Sequence, residues 1–74
     1  MNKKIYELCK NFSKNLKMER KSRKLTQKQV AELIGIKTQS YQAYENCTAL
    51  PNVVNLLKLS QIFDMSIDEL FELN

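Results

Sequence analysis

Apolar residues recur along this chain in groups spaced by three and four, separated by short polar breaks. Ile5, Leu8, Phe12 and Leu16 form the first such stripe, on a segment whose other faces are loaded with lysine, and they predict a helix over residues 3–24. Thr26 then stands where a cap belongs. With Gln29 three residues later it makes a capping box, opening a second helix with Val30, Ala31, Leu33 and Ile34 on its buried face. Gly35 follows the last periodic residue, where a left-handed backbone costs glycine nothing, so Gly35, Ile36 and Lys37 read as a short turn.

A third helix is expected to begin at Lys37 or Thr38 and to run to Asn46, because residues 47–51 lack periodicity and end on the only proline. Asn52 can cap a fourth helix carrying Val53, Leu56, Leu57, Leu59, Ile62 and Phe63. Its apolar circumference is so wide that it is expected to be the central core element. Ser66 and Glu69 form a second capping box, opening a final turn or two with Ile67, Leu70, Phe71 and Leu73. The pattern predicts an all-α, compact five-helix fold without repeats or low-complexity segments.

Composition narrows the classes. Apolar residues make up 43% of the chain and there is one Gly and one Pro, too few turn residues to punctuate many strands. With 74 residues there is room for a single domain, residues 1–74, near the lower size at which one core suffices. The basic start lacks the apolar stretch of about 7 to 15 residues that a secretory signal needs, and nowhere do about 18 apolar residues run together. A cytoplasmic protein without membrane association is expected. Cys9 and Cys47 are far apart in sequence and there is no His, which argues against metal and redox roles and removes the commonest general base. Without a glycine-rich phosphate loop or a nucleophile beside a base, neither an enzyme, nor a cofactor, nor a small-molecule ligand is expected.

Charge is distributed unevenly. Residues 1–28 hold ten Lys/Arg against two Glu, whereas residues 29–74 hold two Lys against six Asp/Glu. One part of the molecule is therefore expected to be strongly positive and suited to a polyanion, either nucleic acid or an acidic membrane surface. The membrane alternative is weakened by the narrow apolar stripe of the first helix and its lack of Trp.

Two helices joined by a short glycine-containing turn can stand the second helix in a DNA major groove. Turning each residue of the third helix by about 100° sends Tyr41 and Tyr44 one way and Gln39, Gln42, Ala43 and Asn46 the other, with Thr38 at the edge of the second face. A side-chain amide offers a donor and an acceptor at the spacing of adenine N6 and N7, and Ala or the Thr methyl can meet the thymine methyl. The alternative is that these are merely solvated polar residues. The basic first helix, the capped second helix and the glycine turn favour base reading.

Phe12, Leu16, Arg20, the run LTQKQVAELIGIKTQSYQAYEN over residues 25–46, Pro51, and SIDEL over residues 66–70 together resemble the helix-turn-helix domain of lambda-type phage repressors, Cro proteins and their bacterial relatives. The likeness covers about four fifths of the chain. It implies a DNA-binding regulator with its helix-turn-helix over residues 26–46 and an extension, residues 1–11, that the family does not require. It implies base contacts from Lys37, Thr38, Gln39, Gln42 and Ala43. Gln27 is expected to hold a phosphate, assisted by backbone N–H groups at the start of its helix, and Ser40 and Asn46 to make further backbone contacts. Lys21, Arg23 and Lys28 are the basic residues nearest the motif and are expected to touch phosphates. Arg20 and Glu45 match a structural ion pair.

The sequence also departs from the pattern. Cys47 stands where glycine usually ends the recognition helix, so either a non-glycine residue accepts positive φ or the exit turn differs. Lys37 occupies the usual Ser/Thr cap, leaving the cap to another group or to Thr38. Lys24 replaces a frequent turn glycine.

The resulting expectation is a repressor or regulator that binds double-stranded DNA as a homodimer on a two-fold symmetric operator, its recognition helices about 34 Å apart. Phe71 with Leu73, or Ile5 with Leu8 and Cys9, are candidate dimer surfaces, unless they simply close the core. The competing reading is an antitoxin or other regulator whose main partner is a protein.

Overall fold

The computed structural model describes residues 2–73; the outermost residues of the expected domain, Met1 and Asn74, lie outside the described residues. Its five helices are α1 (Lys3–Ser22), α2 (Gln27–Ile34), α3 (Thr38–Glu45), α4 (Val53–Phe63) and α5 (Ile67–Phe71).

Local chemistry accounts for most of these boundaries. Asn2 Oδ1 accepts the Ile5 N–H at 2.9 Å, starting α1, and Asn52 does the same for α4 by accepting from Asn55 N–H at 2.8 Å. Both capping boxes form. Thr26 Oγ1 accepts from Gln29 N–H at 3.0 Å while Gln29 Oε1 accepts from Thr26 N–H at 2.8 Å, and Ser66 and Glu69 repeat the exchange at 3.0 and 2.9 Å. Each box satisfies donors that the first turn of a helix cannot satisfy itself.

Helix α1 stops two residues short of the predicted end. Arg23 is its cap and Lys24 takes φ 57°, so the Leu25 N–H turns back onto the Arg20 carbonyl at 3.1 Å. A lysine thus performs the left-handed turn that glycine performs elsewhere. At the end of α2, Gly35 has φ 80°, and a Cβ there would meet nothing within 4 Å; its backbone angle, not space, calls for glycine.

The core draws on all five helices: Phe12 and Leu16 from α1, Val30, Ala31 and Ile34 from α2, Tyr41 and Tyr44 from α3, Leu59 and Phe63 from α4, and Leu70 from α5. Three expectations need correcting. On α1 the buried stripe is Cys9, Phe12, Ser13 and Leu16, while Ile5 near the helix start projects past the packed helices into solvent. On α2, Leu33 is 60% exposed, since it falls outside the arc shared by Val30, Ala31 and Ile34. Helix α4 is not the central element. It buries only Leu59 and Phe63 fully, and Val53, Val54 and Leu57 lie on its solvent side, with Val53 71% exposed.

The candidate dimer surfaces are likewise redistributed. Phe71 stacks on Phe12 with centroids 4.6 Å apart, and Cys9 is buried, so both close the core. Leu73 and Ile5 remain about half exposed. No helix among the described residues is long and apolar enough to cross a membrane.

Candidate nucleic-acid interface

Helix α3 receives little help from its own sequence. Its cap residue Lys37 makes no side-chain hydrogen bond to the first turn, and Asn46 ends the helix at φ −92° and ψ 0°. The expected third helix therefore closes one residue early, with Asn46 as its cap. Cys47 then takes φ 62°, which decides between the two exits left open by the sequence: a non-glycine residue adopts the left-handed angle. Thr48 secures that turn by donating its N–H to the Ala43 carbonyl at 3.0 Å.

What α3 lacks in caps it gains from behind. Tyr41 and Tyr44 are buried edge to face, with centroids 6.2 Å apart. Ser13 Oγ of α1 donates to the Tyr44 carbonyl at 2.5 Å, satisfying one of the acceptors that a helix end leaves over. Arg20 holds Glu45 through two parallel bonds, Nε to Oε2 at 2.6 Å and Nη2 to Oε1 at 3.0 Å. The remaining arm of Arg20, Nη1, donates to the Leu25 carbonyl at 2.9 Å. Arg20 is thus committed to structure.

The Glu45 side chain is fully buried and that of Arg20 is 12% exposed, so the pair is held largely out of water. Burial alone would disfavour the Glu45 anion. Arg20, the Tyr41 hydroxyl and the Gln27 amide around it outweigh that penalty and hold its carboxyl below the usual range. Removal from water, and then the adjacent Glu45 carboxylate, push the Tyr41 hydroxyl well above an ordinary phenol.

The opposite face is unencumbered. Lys37, Gln39, Ser40 and Asn46 are exposed, and Thr38, Gln42 and Ala43 are half-buried along its edges. Among the described residues, the side-chain amides of Gln39, Gln42 and Asn46 make no hydrogen bond within the chain, so their donors and acceptors are available to another molecule. Gln27 sits at the start of α2, where it donates to Glu45 Oε1 at 3.1 Å and so joins the supporting network behind α3.

A helix-turn-helix family model matches residues 16–70 of the chain. The chain belongs to this family. It is the family of lambda-type repressors and Cro proteins, whose members are DNA-binding transcription regulators rather than enzymes. The chain is 43% identical over 61 residues to the uncharacterized HTH-type transcriptional regulator YqaE of Bacillus subtilis, covering 82% of this chain and 53% of that protein. It is 42% identical over 59 residues to the cryptic phage CTXphi transcriptional repressor RstR of Vibrio cholerae, covering 80% of this chain and 53% of the relative. A third relative, the uncharacterized HTH-type transcriptional regulator YobD of Bacillus subtilis, is 39% identical over 57 residues, or 77% of this chain and 51% of its own. The chain spans about half the length of these curated relatives. No solved structure gives a significant match.

Within this helix-turn-helix regulator two features escape sequence reasoning. Arg23, expected among the phosphate contacts, turns instead to α4: Nη2 donates to the Phe63 carbonyl at 2.7 Å, Nη1 to Glu19 Oε1 at 2.6 Å, and the guanidinium lies 5.3 Å from the centre of the Phe63 ring. The end of α4 supplies an orphan carbonyl and an aromatic face, and Arg23 serves both. The second is a cleft of about 310 Å³ between α1 and the end of α3, lined by Lys10, Lys14, Lys17, Asn46 and Cys47 among others. The spacing of these lysines by four and three signalled a common face; that the face adjoins the exit of α3 could come only from the fold. Lys21 on α1 and Lys28 on α2 are exposed.

Proposed function

We propose that this chain is a sequence-specific transcriptional repressor of the cytoplasm that binds double-stranded DNA as a homodimer on a two-fold symmetric operator. Helix α3 enters the major groove. Gln39, Gln42, Lys37, Thr38 and Ala43 meet base edges, while Gln27, Lys28, Ser40, Asn46 and Lys21 meet phosphates. Arg23 leaves the phosphate set because both arms of its guanidinium are engaged, by Glu19 and the Phe63 carbonyl, whereas the Gln27 amide gives one N–H to Glu45 and has a second for a phosphate.

The observation that carries this reading is the division of α3 into a face pinned by Arg20, Ser13 and two tyrosines and a face whose amides have no internal partners. A helix held from one side presents the other in a fixed orientation, as base recognition requires. The repressor role is supported by the likeness to RstR, a cryptic phage transcriptional repressor.

Pairing of two copies is assigned to the exposed apolar side of α4, Val53, Val54 and Leu57, in place of the surfaces expected from the sequence. The same surface also suits a different protein, as in an antitoxin, and this is the second reading.

Selection of bound sequences from a random DNA pool tests the whole. Enrichment of a two-fold symmetric site is expected. An enriched asymmetric site removes the dimer, and no enrichment removes base reading. Leu57→Lys is expected to yield monomers in sedimentation; a dimer that persists moves the interface elsewhere.

A further inference from the structure

Thirty-eight positions separate Cys9 from Cys47, and the sequence gives no reason to relate them. The fold does. Ser13 of α1 touches the carbonyl of Tyr44, Cys9 lies one turn before Ser13 on the same buried face, and Cys47 lies three residues after Tyr44. The two cysteines consequently line one cleft of about 130 Å³, together with Thr48, Ala49 and Leu50. Both are reduced.

We infer that Cys9 and Cys47 form a redox-active pair that closes, under attack by a hydroperoxide, to an intramolecular disulfide joining α1 to the exit turn of the recognition helix. The two thiols differ in access, which orders the steps. Cys47 is half-buried, whereas Cys9 is 3% exposed, and burial first and the neighbouring Cys47 second push the Cys9 thiol up, making it the poorer first nucleophile. The Cys47 sulfur displaces one oxygen of hydrogen peroxide, giving a sulfenic acid and one water. The Cys9 sulfur then attacks the Cys47 sulfur, forming the S–S bond as the sulfenic hydroxyl leaves with the Cys9 proton as a second water. Two thiols are oxidised and one peroxide is reduced. The cleft exceeds the roughly 30 Å³ share of one water molecule and so has room for an oxidant of this size.

Such pairs, an accessible cysteine beside a resolving one, are the usual architecture of reversible thiol oxidation inside cells. The bond would close a long loop, so the oxidised protein should unfold at a temperature several degrees higher. Cys47 also carries the left-handed angle that terminates α3, so the bond would act on the turn that sets where Asn46 stands.

The test is treatment of the full chain with hydrogen peroxide, followed by intact mass and peptide mapping. Expected are a loss of about 2 Da, one cross-linked peptide pair containing Cys9 and Cys47, a monomeric mass, and reversal by dithiothreitol. In Cys9→Ala the sulfenic acid has no resolving thiol, and Cys47 should instead gain about 32 Da as sulfinic acid. Cys47→Ser should not react. Wild-type protein in which Cys47 becomes sulfinic while Cys9 stays reduced overturns the inference, as does a bond between Cys47 residues of two copies or the absence of any product. The wild-type mapping stands even if a variant fails to fold.

Discussion

Helices α2 and α3 are each eight residues long and adjacent in the chain, yet they are held in opposite ways. Helix α2 has a complete capping box at its start and a left-handed glycine at its end. Helix α3 has neither, and depends on Arg20, Ser13 and the burial of two tyrosines. Helix α2 is specified by its own sequence; α3 is specified by its neighbours. Side-chain caps at the start of α3 would consume polar groups at the end of the helix proposed to approach DNA. Support from behind leaves that end open.

The contrast breaks most sharply at Glu45. Glu45→Ala leaves Arg20 without its buried partner and is expected to destabilise the fold by about 3–5 kcal/mol in denaturant titration, since removing one member of a buried pair costs far more than the pair contributes. A loss near that of a surface substitution would mean that α3 stands without α1. The same pair sets an acid limit. The folded pKa of Glu45 lies below its ordinary value of 4.5, so its contribution to stability is complete above 4.5 and is lost as pH falls through the folded value. Glu45→Gln should flatten that acid-side decline.

The outer face should respond differently. Gln39→Ala is expected to leave thermal unfolding unchanged while weakening operator binding by roughly 1 to 3 kcal/mol and relaxing preference at one base pair. Equal loss on all DNA sequences would take Gln39 out of base reading. On α2, Thr26→Ala should cost about 1 kcal/mol of stability, the usual value of a side-chain cap. An effect as large as that of Glu45→Ala would erase the distinction between the two helices. The smallest difference concerns two neighbouring cations. Lys28→Ala should reduce the salt dependence of binding by about one unit, whereas Arg23→Ala should leave it unchanged and lower stability instead. A changed slope for Arg23→Ala would return that residue to the interface.

How much could be read from the sequence follows the same division. The five helices were legible because Thr26, Gly35, Asn52 and Ser66 act on residues three or four positions away. Arg20 and Glu45 were legible only through resemblance, since nothing local links positions 25 apart. For Arg23, the partner Glu19 lies one turn away in the sequence, but the carbonyl of Phe63 depends on where α4 ends in space. The apolar girth of α4 was visible, but apolar content does not say whether a face meets the core or another molecule. For the same reason the amide face of α3 could be drawn on a helical wheel, while its freedom from internal hydrogen bonds required coordinates.

One contact bears on the manufacture of the protein. Phe12, near the beginning, is covered by Phe71, and the amide of Asn15 donates to the carbonyl of Leu70 at 2.8 Å. A ribosome making this chain in order synthesises α1, the capped α2 and α3 before residue 71 exists. Until then Phe12 has no aromatic cover and α1 has an open seam. A product halted short of Phe71 would therefore contain α1, α2 and α3 yet leave Phe12 uncovered, and is expected to be bait for chaperones rather than a smaller stable domain.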